Sequence, residues 1–383
     1  MRDSREDGGT MRPGPKPVRA MSRRSFLRCA ALCGGCAAAG VFGAPAKAPV
    51  EGREATYWES MPDGATRCLL CPNLCRRTSG QTGQCRTRTN RGGRWHTLTY
   101  GNPCVIHEDP LTKNPLYHVD PGASAIGVAT AGCNLSCKYC QNWDISQVGP
   151  DRTQNMALSP VELVAKVKDR GLKWLTYSYT EPVVYYEYAM EAARLARREG
   201  MRVAAVTAGY IRPEPLAAMI KAVDAFSITL KGHDEAFYRE VCGCSMQDVL
   251  RTLQAVAASS CWLEVVYLAV PGLNDSAEAC RTIAGHVAKL GREVPLHILR
   301  FSPAYKLGNL PRTPLQTMER ARDVARASGL KYVYLDLPGH ADANTVCPRC
   351  GKTLIERAGF AVVSNRVRNK SCPSCSTRIP GLL

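Results

Sequence analysis

The sequence predicts an α/β protein: a partial, TIM-like (β/α) barrel carrying small N-terminal and C-terminal Cys-rich metal-binding segments. Three observations predict it. From about residue 123, short β-branched runs alternate with longer amphipathic ones. The nineteen cysteines fall in clusters, several at Cys-x2-Cys spacing, which reads as metal binding more than as disulfides. The chain has 383 residues, beyond the ~250–300 at which a single hydrophobic core stops growing. One large domain with appendages is therefore expected.

Seven runs read as strands: Ala125–Ala129, Trp174–Tyr179, Arg202–Thr207, Ala225–Leu230, Trp262–Val270, Pro295–Phe301 and Lys331–Leu335. Helical stretches separate them. Ser159-Pro160-Val161-Glu162 has the order of a helix start, with Ser as N-cap, Pro at the first helical position and Glu at the third. Tyr188, Ala192, Leu195 and Ala196 share one helical face, and Gly200 stands where that helix should stop. Such repetition implies a parallel sheet with right-handed crossovers, and an active site at the carboxyl ends of the strands. Polar residues recur there: a cysteine loop after the first strand, Tyr179-Thr180-Glu181-Pro182 after the second, Thr207-Ala208-Gly209-Tyr210 after the third, and Thr229-Leu230-Lys231-Gly232 after the fourth. The sixth strand carries His297. Taken alone, Glu181 suits a helix N-terminus and His297 a satisfied core histidine. Their placement turns both towards function.

The cysteine sets differ in what they can ligate. Cys133, Cys137 and Cys140 follow a Cys-x3-Cys-x2-Cys spacing. A [4Fe–4S] cluster takes four thiolates, so this loop wraps three corners and leaves one iron open. A zinc knuckle would need a second pair close behind, and none follows. Cys347, Cys350, Cys372 and Cys375 form two facing Cys-x2-Cys pairs, the pattern of a structural Zn2+ ribbon. Cys68, Cys71, Cys75 and Cys85 could hold zinc or a second cluster, with zinc as a structural cap slightly preferred. Cys242 and Cys244 read as unpaired thiols, and Cys104, Cys261 and Cys280 as small core residues.

The domain plan that follows is a leader at 1–48, a Cys-rich segment at 49–100, the barrel at 101–340 and the ribbon at 341–383. Ser22-Arg23-Arg24-Ser25-Phe26-Leu27-Arg28 resembles a twin-arginine export signal. An Ala/Gly-rich stretch and cleavage candidates near Ala46 and Ala48 follow it. The expected partner is then the twin-arginine translocation machinery, with export to the periplasm after cytoplasmic folding. The formal net charge is +17, of which nine Lys/Arg against three Asp/Glu put +6 in the first 48 residues. No compact basic run with interleaved aromatics occurs in the remainder, so nucleic acid is not an expected partner. No transmembrane anchor is expected either, because no apolar run reaches ~18 residues.

With Tyr139 before its last cysteine, the three-cysteine loop resembles the signature of the radical S-adenosylmethionine (radical SAM) superfamily. From about Cys68 onward the chain resembles the radical SAM enzymes of the AmmeMemoRadiSam group, kin to the activating enzymes of glycyl-radical enzymes such as pyruvate formate-lyase. The resemblance rests on Asp109-Pro110-Leu111-Thr112-Lys113-Asn114-Pro115-Leu116-Tyr117-His118 and on Gly132 through Ser146. It continues through Tyr179-Thr180-Glu181-Pro182, Val270-Pro271-Gly272-Leu273-Asn274-Asp275 and Pro295-Leu296-His297. It implies a radical SAM barrel in which Cys133, Cys137 and Cys140 hold a [4Fe–4S] cluster whose open iron binds SAM. Tyr139 would lie near the adenine, Glu181 near the SAM ammonium, and Lys231 and His297 elsewhere around SAM. Implied too are a low-potential electron donor and an association with Memo-type and Amme-type proteins. The chain departs from the activases at Thr229, where they tend to have Asp, and at Ala208, where they tend to have Asn. SAM supply points to the cytoplasm, against the leader. Reductive cleavage to a 5′-deoxyadenosyl radical is the expected chemistry, and a zinc-ribbon nucleic-acid binder is the rival of another class.

Overall fold

Each of the seven expected strands forms, and an eighth that the pattern does not announce joins them. The computed structural model describes residues 52–337 and 339–383, so the expected leader lies outside the described residues. The strands are β1 (Val105–Pro110), β2 (Ser124–Ala129), β3 (Trp174–Tyr177), β4 (Arg202–Thr207), β5 (Ala225–Thr229), β6 (Trp262–Ala269), β7 (Leu296–Arg300) and β8 (Val333–Leu335). They form one sheet in sequential order. From β2 to β8 neighbours run parallel, and β1 pairs antiparallel with β2. β1 and β8 are the two edges, so the barrel is partial, as the alternation predicts. β1 escapes the pattern because it is a half-exposed edge strand bearing His107, Glu108 and Asp109. Its pairing comes from β2, not from an apolar run of its own.

Helices α1 (Pro160–Asp169), α2 (Tyr186–Arg198), α3 (Pro213–Ala222), α4 (Met246–Ala257), α5 (Ala277–Leu290) and α6 (Leu315–Ala327) fill the crossovers. α1 starts on a reciprocal capping box: the Glu162 N–H donates to Ser159 Oγ, and Glu162 accepts from the Ser159 N–H at 2.7 Å. α2 ends before Gly200, whose φ of +74° reverses the chain at low steric cost. Trp262–Ala269 and Arg202–Thr207 bury side chains on both faces, as strands roofed by helices must.

The segment after β1 folds under the amino ends of the strands as a floor. Leu111, Leu116 and Val119 bury against Ala125, Trp174, Ala204 and Ala225. Glu264, fully buried on β6, accepts the N–H groups of Tyr117 (3.1 Å) and His118 (2.8 Å) and the indole N–H of Trp262 (3.0 Å). The C-terminal segment locks this floor from outside. Arg357 donates to the Tyr117 carbonyl at 2.8 Å and lies 4.1 Å over its ring. The Leu382 N–H reaches the His118 carbonyl at 2.9 Å. Gly381 is required there, since a Cβ would stand 2.3 Å from that carbonyl oxygen.

His118 gives the floor a pH dependence. Its Nδ1 meets the Pro380 carbonyl and its Nε2 the Tyr334 hydroxyl, both at 2.7 Å, which suits a neutral ring with the proton on Nδ1. Burial lowers its pKa to about 4 against the pull of Glu264. The unfolded chain takes up a proton near pH 6.5 that the folded chain refuses until about pH 4. Stability is thus complete above that upper value and falls as pH drops towards the lower one, by up to ~3 kcal/mol. His118→Gln should flatten this part of a urea-midpoint-versus-pH profile. An unchanged slope would show that other groups set it.

Candidate active site and the cysteine centres

The cysteine loop leaves the carboxyl end of β2 and is held by contacts independent of its sulfurs. Asn134 Nδ2 donates to the Tyr210 carbonyl at 2.7 Å. The N–H groups of Ser136 and Lys138 donate to the carbonyls of Cys242 and Val241 at 2.9 and 2.8 Å. Gly243, at φ +70°, admits Ser136, whose Oγ lies 2.1 Å from where a Cβ would stand. Cys133, Cys137 and Cys140 all face one cleft of about 910 Å³, part of it open to solvent. Leu135 N–H points at Cys133 Sγ (3.5 Å) and Ser146 Oγ lies 3.2 Å from Cys140 Sγ.

Glu181, Lys231 and Tyr139 line the same cleft. Glu181 caps the short helix Pro182–Tyr185 through the Val183 N–H (3.3 Å) and accepts from Thr207 Oγ1 (2.5 Å) and the Ala208 N–H (2.8 Å). Burial pushes its carboxyl above the usual range, while these donors and Lys231 pull it back. Because position 208 serves through its backbone, Ala208 does this as well as Asn would. Burial opposes the Lys231 charge, but the thiols of Cys137, Cys242 and Cys133, once ionised, outweigh it and raise its pKa. Asn274 fixes the Lys231 backbone: its Nδ2 donates to the Lys231 carbonyl at 2.8 Å and its Oδ1 accepts the Val270 N–H at 2.6 Å. The Val270–Asp275 motif is thus a strap between β5 and β6. Tyr139 is buried, its hydroxyl 3.5 Å from Cys242 Sγ.

Three thiols around an open cleft, with a buried carboxylate and a lysine beside them, fit a three-ligand cluster and an amino-acid zwitterion. Comparison with known proteins agrees. The model of the Radical SAM superfamily matches residues 128–282. An uncharacterized protein of Methanocaldococcus jannaschii is 40% identical over 331 residues, spanning 85% of this chain and 98% of that one. The chain belongs to the radical SAM superfamily. It is also similar to the pyruvate formate-lyase-activating enzyme of Clostridium pasteurianum, 27% identical over 214 residues (53% of this chain, 84% of that one). The isethionate sulfite-lyase activating enzyme of Nitratidesulfovibrio vulgaris is 24% identical over 225 residues (58% and 73%).

Within this radical SAM fold, His297 stands apart from the other expected SAM contacts. It is fully buried near the amino end of β7, where its Nε2 meets Glu264 at 2.6 Å. It belongs to the floor and does not line the cleft. The reason is position along the strand: Leu299, two residues further on the same face, lines the cleft instead. Two residues of the strand-end motifs that carry no role in the sequence alone are Thr207, which holds Glu181, and Tyr179, a cleft residue at φ +51°. That left-handed tyrosine ends β3 at Tyr177 and is the kind of strained position found at functional sites. No pattern of hydrophobicity announces it.

The two flanking cysteine sets are built differently. In the C-terminal set, all four sulfurs lie within 4.8 Å of one another, with Cys347–Cys375 at 3.5 Å and Cys350–Cys372 at 3.7 Å. Its two knuckles repeat one pattern: Gly351 N–H to Cys347 O and Ser376 N–H to Cys372 O, both 2.9 Å. A tetrahedral ion with Zn–S near 2.3 Å holds its sulfurs about 3.8 Å apart, so this donor set fits zinc. In the N-terminal set, Cys68, Cys71, Cys75 and Cys85 line a single cavity together with Arg88 and Asn134.

Proposed function

We propose that this protein cleaves SAM reductively and uses the resulting 5′-deoxyadenosyl radical to abstract hydrogen from a substrate. The observation that carries the reading is the cleft itself, where three thiols on a braced loop face Glu181 and Lys231. A [4Fe–4S] cluster with one open iron supplies the electron and the chelation that split the sulfonium. The chain's own part is to hold that cluster with Cys133, Cys137 and Cys140 and to offset its thiolate charge with Lys231. Glu181 would meet the SAM ammonium as a charge-assisted partner, and Tyr139, which lines the same cleft, would serve the adenine. The converging C-terminal set would hold a structural zinc. The ordered motifs support membership of the AmmeMemoRadiSam group, with Memo-type and Amme-type proteins as partners and a low-potential electron donor. A second reading, activation of a glycyl-radical enzyme, is favoured by the two activating-enzyme relatives.

The test is anaerobic reconstitution with iron and sulfide, then SAM and a strong reductant. Release of 5′-deoxyadenosine is expected, and salt-sensitive nucleic-acid binding without SAM cleavage would overturn the reading. Glu181→Gln keeps most of the local hydrogen bonding but loses the charge. It should weaken SAM binding about tenfold, ~1.4 kcal/mol, by equilibrium dialysis on the reconstituted protein. Unchanged affinity would remove Glu181 from the SAM site.

A further inference from the structure

The geometry points to a second iron–sulfur cluster, not zinc, in the N-terminal set Cys68, Cys71, Cys75 and Cys85, placed to pass an electron to the cleft. The C-terminal set shows how this chain arranges four thiols for a single ion: the sulfurs converge. Among the described residues, only that set brings three or more metal-ligand atoms within 4.8 Å of one another. No three of the N-terminal sulfurs come within that distance of one another, yet all four cysteines line one cavity, as Cys133, Cys137 and Cys140 line theirs. A cubane binds each thiolate on a separate iron and so needs a wider set than one ion does.

The surroundings carry the same mark. Arg88 Nη1 donates to Cys68 Sγ at 3.3 Å, the Gln84 N–H to Cys75 Sγ at 3.4 Å and Thr87 Oγ1 to Cys85 Sγ at 3.3 Å. Hydrogen bonds to the sulfurs are a chief means by which proteins set cluster potential. The Arg88 side chain is 2% exposed and is paired with Glu187 at 2.6 Å, a buried cation beside thiolates.

The two cysteine sets adjoin through three consecutive residues. A Cβ on Gly132 would stand 2.4 Å from the Cys85 carbonyl oxygen, so its backbone lies against that cysteine. Asn134 lines the N-terminal cavity and accepts from Asn73 Nδ2 at 2.8 Å. Cys133, a ligand of the cleft set, sits between them. With all four corners closed by protein, the N-terminal cluster has no open iron for a substrate. Its chemistry is one-electron transfer: it takes one electron from a low-potential donor and gives one to the cleft cluster, with no bond made or broken. The cluster assignment stands apart from the reading of the cleft; only the relay role rests on it.

Metal and sulfide analysis of the anaerobically reconstituted full chain tests this. The wild type should hold about eight irons and eight sulfides per chain, four per cluster, with about one zinc. The Cys133→Ala/Cys137→Ala/Cys140→Ala variant should keep about half the iron, and Cys71→Ser/Cys75→Ser should keep the other half. About four irons and two zincs in the wild type would overturn the cluster, and that count does not depend on any variant folding. In reduced samples, magnetic coupling should broaden the wild-type electron paramagnetic resonance signal beyond the sum of the two variants' signals. A simple sum would overturn the relay. Eight irons without SAM cleavage would sink the proposed function and leave this cluster in place.

Discussion

Alanine at any one of Cys133, Cys137 or Cys140 should reduce 5′-deoxyadenosine formation by about a thousandfold or more, ~4 kcal/mol of lost transition-state stabilisation. In the proposed cluster each thiolate would hold one iron, and two protein ligands should not retain a stable cube. The effect should be chemical and not structural. The loop is braced by the Asn134 amide, by the backbone of Ser136 and Lys138 and by the Gly132 N–H on the Ile145 carbonyl, none of which uses sulfur. The variants should therefore match wild type in thermal unfolding of the apo form while losing the cleft cluster's absorbance. A triple-alanine protein that still cleaves SAM reductively would end the radical reading.

The second large effect is expected at the other end of the chain. Cys372→Ala removes one of four converging sulfurs, and structural zinc sites contribute ~10–16 kcal/mol of folding free energy in small domains. Zinc should fall from about one per chain to near none, and the C-terminal segment should lose its fold. The consequence should reach the barrel, because that segment supplies Arg357 to the Tyr117 carbonyl and Leu382 to His118. A lower unfolding midpoint for the whole protein is expected, read by calorimetry beside zinc analysis. Loss of iron with zinc untouched would show that the set holds a cluster instead.

The barrel was legible in the residues because its strands are buried on both faces. Runs such as Arg202–Thr207 and Trp262–Ala269 stand out between amphipathic helices, and the Ser159–Glu162 box marks its helix by chemistry confined to four residues. The three-cysteine loop was legible for the same reason: its ligand spacing is local. Edge strand β1 was not, since an exposed edge gains its hydrogen bonds from a partner and not from its own hydrophobicity. Neither was the division of polar residues within one strand face. His297 and Leu299 alternate identically in the chain, yet one faces Glu264 in the floor and the other faces the cleft. Depth along a barrel axis depends on where each strand begins relative to its neighbours, a long-range quantity that periodicity does not carry. The two four-cysteine sets show the same limit. Their spacing says that each can bind metal, but the separation of the sulfurs belongs to the packing of distant segments. Only the tertiary structure tells a converging set from one spread around a cavity.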